Sequence, residues 1–301
     1  MTMNDMYKKQ VSLLIRIMPS VYRIKDFAVH GGTAINLFHK NMPRYSVYID
    51  LTYIPIQGRE ESLSAINSLL EQLKINIERS IPGIRIYSRY DICKLQCTLN
   101  GASVKIEVNV TKRGIIGKTE DKLLCERAQQ VFSMACMART VSYSQLYGGK
   151  IAAALSRQHP RDLFDCKYMD ISSFDEVKDG FMLCLLGSDK PIIESLQPNI
   201  IDQADALENQ FRGMSDVEFG YADYEAARLN LISLVNTSLT DVDKDFLVSF
   251  ENGSPDWGKC CAGDLSHFPS VMWKLHNIEN LKKVNPQKHK WGVDRLIQAL
   301  F

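Results

Sequence analysis

The sequence predicts an α+β protein in which a small mixed sheet with flanking helices is followed by a helical lobe. Apolar and polar residues alternate in several short segments before residue 110, which indicates strands. Asn100-Gly101, a hairpin dipeptide, separates two of these segments. After about residue 120 the apolar spacing becomes helical. We therefore predict a sheet-containing domain over residues 1–172 and a helical domain over residues 173–301.

The composition is that of an ordinary soluble globular protein. Hydrophobic residues make up 45% and charged residues 24% of the 301 positions. No apolar run approaches the roughly 18 to 20 residues that cross a bilayer. The eight cysteines show neither paired CxxC spacing nor histidines at zinc-finger distance. We expect a cytoplasmic protein with reduced thiols and no membrane partner.

The net charge of +1 gives no global attraction to nucleic acid. Local groups of basic residues are nevertheless present, and each can be a solvated surface or a contact with a phosphate backbone. These residues are Lys112, Arg113, Lys118, Lys282, Lys283, Lys288, Lys290 and Arg295.

The first predicted elements are a helix and a strand that leads into a glycine turn. Residues 8–18 have helical spacing, and DFAVHGG indicates a buried strand followed by a tight turn. Thr33 can begin the next helix, TAINLFHK, which Pro43 ends. YSVYIDLTY then follows as a half-buried strand. Its apolar face is Val47, Ile49, Leu51 and Tyr53, and its polar face is Ser46, Tyr48, Asp50 and Thr52.

A long helix and three strands are predicted next. Residues 59–80 have one apolar face, formed by Leu63, Ile66, Leu69, Leu70 and Leu73. GIRIYSR and DICKLQCTL indicate strands, and the Asn100-Gly101 turn connects the second to ASVKIEVNV. In that last strand Lys105, Glu107 and Asn109 alternate with apolar residues. After about residue 120 we predict helices, among them SYSQLYGGKIAAALSR and HPRDLFDCKYM.

Four features together favour phosphate and metal chemistry. A Gly-Gly-Thr turn offers backbone amides to an anion, and two polar strand faces offer the carboxylates of Asp50 and Glu107 to a cation such as Mg²⁺. Lys150 is a point charge suited to phosphate, and two further acids lie near a helix start, at Asp162 and Asp165. Each feature has an ordinary alternative: a plain turn, a strand end, helix-start acids, or a pairing of Glu107 with Lys105 or Lys94.

The run HGGTAINLFHKNMPRYSVYIDLTY resembles the first motif of the AbiEii/AbiGii toxin family, to which the MenT toxins are related. VKIEVN, LYGGKIAAALSR and PRDLFD resemble the later motifs of that family, in the same order. The resemblance extends over most of the chain. It implies a nucleotidyltransferase domain of the polymerase-beta-like superfamily, followed by a helical C-terminal domain.

The resemblance also implies roles for individual residues. Gly31, Gly32 and Thr33, with Ser46 close by, would contact the triphosphate of an NTP. Asp50 and Glu107 would bind Mg²⁺ or Mn²⁺, Lys150 would steady the nucleotide phosphates, and Asp162 with Asp165 would complete the catalytic set. The implied reaction passes a nucleotidyl group to an acceptor hydroxyl, which in MenT-like relatives belongs to a tRNA 3′ end. A cognate AbiEi-like antitoxin is the implied partner, with or without direct contact.

Tyr48 departs from the family pattern, because it occupies the position of the first acid of an Asp-x-Asp strand. A phenol with a pKa near 10 is neutral at pH 7 and is a poor ligand for Mg²⁺. We therefore predict an impaired or inactive enzyme. The tyrosine can be a substitution that allows a toxin to be expressed, or the mark of a natural pseudoenzyme. A vestigial nucleotide-sensing or partner-binding protein is the alternative function.

Ser46 shares the polar strand face with Tyr48, close to the predicted phosphate site. A phosphoryl group on this serine would add about −1.5 to −2 charge where substrate phosphate must bind. Phosphorylation would then silence an active relative. The alternative is a serine that forms a local hydrogen bond.

Overall fold

The structure is a computed structural model that describes residues 3–301 of the chain. It divides into two compact units. The first holds the residues up to Ser142 together with Asn209–Glu218, and the second holds Tyr143–Glu208 together with Phe219–Phe301. The predicted domain boundary between residues 172 and 173 stays a prediction.

The first unit contains a seven-stranded sheet in the order β3-β4-β5-β2-β1-β7-β6. The sheet is mixed, because β2 pairs in parallel with β5 and β1 pairs in parallel with β7, whereas the other neighbours are antiparallel. Its strands are β1 Phe27–His30, β2 Tyr48–Tyr53, β3 Arg85–Arg89, β4 Lys94–Leu99, β5 Ala102–Asn109, β6 Glu120–Leu123 and β7 Met137–Thr140.

Alternation places these strands as predicted over the first part of the chain. Ile49 and Leu51 in β2 and Ile106 in β5 are fully buried, so one face of the sheet forms the core of this unit. Asn100 and Gly101 have φ values of +48° and +81°. Two positive φ values in succession suit a two-residue hairpin, and the predicted turn is confirmed.

The helices of the first unit cover this sheet. They are α1 Met3–Tyr22, α2 Gly31–Thr33 continued by a π-helical turn Ala34–His39, α3 Arg59–Ser80 and α4 Glu126–Phe132. The predicted limits of α3 are confirmed, and Ile66, Leu70, Leu73 and Ile77 are its buried stripe. Leu63 and Leu69 are only half-buried.

The prediction of a purely helical pattern after residue 120 was wrong. Two short strands, β6 and β7, complete the sheet, and Val29 of β1 pairs with Thr140 of β7. Each has four residues, and in β6 all of them are charged except Leu123. The hydrogen bonds that make them strands are supplied by distant partners, which local periodicity does not report.

The second unit is helical, as predicted for this part of the chain. Its helices are α5 Tyr143–Arg157, α6 Pro160–Lys167, α7 Asp175–Leu186, α8 Ile192–Leu196, α9 Ala204–Ala206, α10 Tyr221–Ser238, α11 Asp241–Glu251, α12 Pro269–Val284 and α13 Pro286–Leu300. None of the helices within residues 3–301 has the length and apolar character that crossing a membrane requires.

Two glycines explain how α5 and α7 pack together. A Cβ on Gly148 would lie 2.1 Å from the backbone nitrogen of Phe181, and a Cβ on Gly180 would lie 2.1 Å from the carbonyl oxygen of Ser144. No side chain fits at either position, so the helix axes approach closely. This contact fixes α5, which carries Lys150.

Candidate functional site

A row of four polar residues crosses the first unit's sheet from strand to strand. His30 of β1 pairs with Asp50 of β2, Asp50 pairs with Glu107 of β5, and Glu107 pairs with Lys94 of β4. Residues paired in this way project from the same face of a sheet. The two predicted metal-binding carboxylates are therefore neighbours, as the strand alternation required.

The charges in this row are partly paired. The Nζ atom of Lys94 lies 3.1 Å from Oε1 of Glu107, and both side chains are more than one-third exposed. This is the pairing that the sequence left open between Lys94 and Lys105. At such exposure the ion pair is weak, because water screens it. An incoming cation can therefore compete with Lys94 for Glu107.

The glycine turn lies directly against Asp50. Gly31 has a φ of +69°, in the left-handed region that favours glycine, and a Cβ at this position would lie 2.8 Å from Oδ2 of Asp50. Gly32 is equally confined, since its Cβ would lie 2.7 Å from Nη2 of Arg44 and 3.0 Å from Oγ of Ser46. The sequence has glycine here because two side chains occupy the space.

Two hydroxyl groups connect the turn to the start of β2. The hydroxyl of Thr33 lies 3.0 Å from that of Ser46 and donates a hydrogen bond to the backbone carbonyl of Tyr48. Thr33 is fully buried and Ser46 is 6% exposed. The arrangement matches the local hydrogen bond that was the alternative to modification of Ser46. Four of the predicted nucleotide-binding residues, Gly31, Gly32, Thr33 and Ser46, thus lie together, whereas Lys150 belongs to the second unit.

Tyr48 occupies the first position of β2, where it pairs with Lys105 of β5. Its side chain is 37% exposed, and the Lys105 ammonium lies 5.8 Å from the ring centroid. A cation in this position is attracted to the face of the ring. The phenol therefore packs beside a lysine, at the start of β2.

The carboxylates present suit one divalent ion better than a larger metal centre. Mg²⁺ is commonly held by one or two carboxylates, with water and substrate phosphate completing its coordination. Asp50 and Glu107 meet that requirement. Among residues 3–301, no three His, Cys, Asp or Glu side chains are grouped so as to hold a metal ion.

Lys150, Asp162 and Asp165 form a separate cluster within the second unit. The Nζ atom of Lys150 lies 2.8 Å from Oδ1 of Asp162 and 3.1 Å from Oδ2 of Asp165, and all three side chains are less than a tenth exposed. Arg157 adds a fourth charge, 2.6 Å from Oδ2 of Asp162. Helix α6 supplies both acids, and α5 supplies the lysine.

The first turn of α6 aims Asp162 at these cations. Helix α6 begins at Pro160. The ring of the preceding residue, His159, caps the helix by accepting a hydrogen bond from the backbone amide of Arg161. Burial alone would raise the pKa of the Asp162 carboxyl, but Lys150 and Arg157 lower it below its usual value. The Asp162 carboxylate is therefore ionised at neutral pH and holds the Lys150 ammonium.

Two residues beside the predicted site were missed from the sequence. His30 pairs with Asp50, and its Nδ1 atom lies 2.9 Å from the hydroxyl of Thr52. The guanidinium of Arg44, which is 4% exposed, lies beneath Gly32 and Ser46. Their positions were the available signal, because His30 directly precedes the glycine turn and Arg44 directly precedes the predicted strand segment YSVYIDLTY.

Comparison with known proteins gives two findings. The sequence matches the protein family described as "Nucleotidyl transferase AbiEii toxin, Type IV TA system" over residues 13–253. The fold is similar to that of MenT4, a nucleotidyltransferase toxin from Mycobacterium tuberculosis, with a TM-score of 0.57 and 14% sequence identity. The similarity covers 89% of this chain and 91% of MenT4. No curated protein matches the sequence significantly.

The structural similarity shows a shared fold. The predicted fold class, a mixed nucleotidyltransferase sheet with flanking helices and a helical C-terminal region, is therefore confirmed.

Proposed function

Since the chain belongs to the AbiEii family of nucleotidyltransferase toxins, we propose that it transfers a nucleotidyl group from an NTP to an RNA acceptor, namely a tRNA 3′ end. In this reaction the acceptor hydroxyl oxygen forms a bond to the α-phosphorus and releases its proton. The bond between the α- and β-phosphates breaks, and pyrophosphate leaves. The resemblance to MenT-like enzymes, whose acceptor is a tRNA 3′ end, supports this choice of acceptor.

One observation carries the proposal: Asp50 and Glu107 are register partners on adjacent strands, and the Asp50 carboxylate lies against Gly31. Carboxylates beside a glycine turn can hold Mg²⁺ or Mn²⁺ where the turn's amides receive phosphate. The ion would neutralise charge that develops on the phosphates during transfer. Thr33 and Ser46 would contact the triphosphate from the same side.

In this proposal Lys150 steadies the nucleotide phosphates, and Asp162 and Asp165 act as its positioning residues. Lys150 and Arg157 together balance the charges of the two carboxylates, so the cluster is neutral as a whole. The two carboxylates hold the lysine in a fixed position, because a buried cation with two anionic neighbours has little freedom to move. A substrate phosphate would then complete the coordination of an ammonium that is already in place.

We propose that Tyr48 impairs this chemistry. A neutral phenol replaces a carboxylate at the edge of the site, so the metal loses both a ligand and a negative charge. Removal of one electrostatic group from such a site commonly lowers kcat by a factor of about 10² to 10³. The position of the ring beside Lys105 is consistent with this view. The carboxylates of the row are then those of Asp50 and Glu107.

Reversion of the tyrosine tests the proposal. Tyr48→Asp should restore metal-dependent incorporation of labelled nucleotide into total cellular RNA, by about 10² or more over the unsubstituted chain. Tyr48→Asn is the matched control, because it has the size of aspartate without its charge and should restore little. Asp50→Asn, added to Tyr48→Asp, should abolish the gain. The proposal fails if Tyr48→Asp incorporates none of the four NTPs.

A second candidate is a nucleotide-sensing or partner-binding protein without catalysis. The observation in its favour is that lysines already pair with residues of the candidate site. Lys94 forms an ion pair with Glu107, and Lys105 lies over the Tyr48 ring. A site of this kind would bind nucleotide without a metal ion. It predicts that Tyr48→Asp gains no transfer activity.

In the cell we propose a cytoplasmic toxin whose activity stops growth, as in an abortive-infection response to phage. The partner would be an AbiEi-like antitoxin, which can act by repressing transcription without a stable protein complex. Induction of the Tyr48→Asp protein should therefore arrest growth, and co-expression of the antitoxin should relieve the arrest. If the Tyr48→Asn protein arrested growth as strongly as the Tyr48→Asp protein, catalysis would not be the cause of the arrest.

A further inference from the structure

Positive charge in this chain is concentrated on its last two helices, α12 and α13. They carry six lysine and arginine residues against two acids, a net charge of +4, whereas the whole chain has a net charge of +1. The remainder is therefore net negative. Segregation of this kind creates a local attraction for anions that the overall charge conceals.

One face of α13 places two of these cations, Lys288 and Arg295, beside an exposed indole ring. Lys288, Trp291 and Arg295 follow one another at spacings of three and four residues, so they share a helix face. Trp291 is 58% exposed, and the guanidinium of Arg295 lies 4.7 Å from its ring centroid. The side of α13 that is buried holds different residues, namely His289, Leu296 and Leu300.

A groove of about 710 Å³ adjoins this helix within the second unit. Three lysines line it: Lys259, Lys282 and Lys290. Lys259 pairs with Asp245 at 3.0 Å, and Lys282 donates a hydrogen bond to the carbonyl of Asn252 at 3.1 Å. Both lysines are thereby held at the groove. Of the α13 cations, Lys290 lines the groove, whereas Lys288 and Arg295 lie on the Trp291 side of the helix.

We propose that α13 binds single-stranded RNA through two of its sides, the side that carries Trp291 and the groove side that carries Lys290. Phosphates contact Lys288, Lys290 and Arg295, and an unpaired base stacks on the Trp291 ring. The inference rests on the proposed function, because it supplies a surface for the RNA acceptor. A base can reach an exposed indole only where it is unstacked, as in loops and at chain ends.

The chemistry of the face favours RNA over a protein partner. Protein interfaces are enriched in tryptophan and arginine but depleted in lysine. Here lysines outnumber the other charged residues around Trp291 and in the groove, where Asp245 and Asp294 are the acids of the lining. Interleaved cations and an exposed aromatic ring are the combination by which single-stranded nucleic acid is bound.

Fluorescence anisotropy with a labelled single-stranded RNA of about 12 nucleotides, without NTP, tests the surface, since a single-strand site spans about 4 to 16 nucleotides. The variant K288Q/K290Q/R295Q should bind at least about tenfold more weakly. Its plot of log affinity against log salt should be shallower by about 2, because each lost phosphate contact removes about 0.7. Trp291→Ala should weaken binding about tenfold with an unchanged salt slope, and Trp291→Phe should retain most of the affinity.

The control variant is K8Q/K9Q/R16Q, which removes the same charge from exposed positions of α1. It should bind RNA within twofold of the unsubstituted chain, and thermal melts should show that all variants fold. Equal affinity for all variants, or equal losses in the α13 and α1 variants, would overturn the proposal. So would normal RNA binding accompanied by a change in sedimentation mass, which would mark a protein interface.

The outcome is separable from that of the proposed function. Binding is measured without NTP, whereas transfer is measured with Tyr48→Asp. An inactive Tyr48→Asp protein whose RNA binding is weakened by the α13 substitutions would contradict nucleotidyl transfer and support the surface. Transfer activity in Tyr48→Asp, together with normal RNA binding by every α13 variant, would support nucleotidyl transfer and contradict the RNA-binding surface.

Discussion

The backbone of Gly31 and the carboxylate of Asp50 constrain each other in the candidate site. The glycine has a φ of +69°, and its Cα leaves no room for a Cβ beside Oδ2 of Asp50. A residue with a side chain at position 31 would destabilise the fold in two ways, by straining the backbone and by displacing the Asp50 carboxylate. These two costs can be separated, because the chain contains a glycine that has only the first.

Gly31→Ala should lower the free energy of unfolding by about 1–3 kcal/mol, as expected for a strained backbone position. Gly101→Ala is the matched control: Gly101 has a φ of +81°, and no atom lies within 4 Å of its added Cβ. Urea denaturation should show the larger loss for Gly31→Ala. In the Tyr48→Asp background, Gly31→Ala should also abolish transfer, whereas Gly101→Ala should preserve it. An equal loss of stability in both would indicate that Asp50 yields freely.

At the scale of elements, the helix pair α5 and α6 is organised around a buried ion cluster. Truncation of one member of such a cluster is costly, because its partner stays charged and buried. Asp162 forms ion pairs with both Lys150 and Arg157, whereas Asp165 forms an ion pair with Lys150. Asp162 is therefore the more informative residue to change.

Asp162→Asn should lower stability at pH 7 by about 1–3 kcal/mol, the cost of a lost buried hydrogen bond to a charged group. Because the folded-state pKa of Asp162 lies below its unfolded value, the carboxylate stabilises the fold above about pH 4 and ceases to do so as the pH falls. The difference between the two proteins should therefore shrink in urea titrations between about pH 5 and pH 2. A difference independent of pH would contradict the ion cluster.

The exposed pair Lys259–Asp245, at 3.0 Å, provides the control for that measurement. Asp245→Asn should leave the free energy of unfolding nearly unchanged, because water and salt screen an exposed pair. A cost as large as that of Asp162→Asn would show that burial is not the deciding factor.

The strands and helices that were predicted have signals within their own sequence. In β5 the alternation of Glu107 with buried neighbours fixed both the strand and the direction of the carboxylate, and β2 followed the same rule for Asp50. By contrast, β6 and β7 are short and take their strand character from hydrogen bonds with distant segments. A local pattern cannot report such a partner.

The candidate site shows the same division. Strand register follows from alternation once the sheet order is known, so the adjacency of Asp50 and Glu107 was predictable. The partner of Lys150 was not, because a lysine on a helix gives no sign of whether it faces water or two buried acids. His30 and Arg44 escaped notice for a similar reason, since each acquires its meaning from residues on another strand or turn.

For the whole molecule, the decisive question is whether nucleotide binding depends on a metal ion. Calorimetry of the chain and of Tyr48→Asp, each titrated with an NTP with and without Mg²⁺, gives four measurements. We expect Mg²⁺ to tighten binding by about tenfold or more, at least about 1.4 kcal/mol, in Tyr48→Asp and by much less in the unsubstituted chain. The physical reason is that a carboxylate at position 48 would add negative charge and an oxygen ligand for the ion beside Asp50 and Glu107.

Tyr48→Asn again separates charge from size, because it removes the phenol without adding a carboxylate. It should behave as the unsubstituted chain does, with a small effect of Mg²⁺. If every protein instead binds nucleotide tightly and equally with or without the ion, the Asp50–Glu107 row is no metal site, and the metal-free sensing function is the better explanation. A metal effect confined to Tyr48→Asp would mean that one side chain separates an impaired enzyme from an active one.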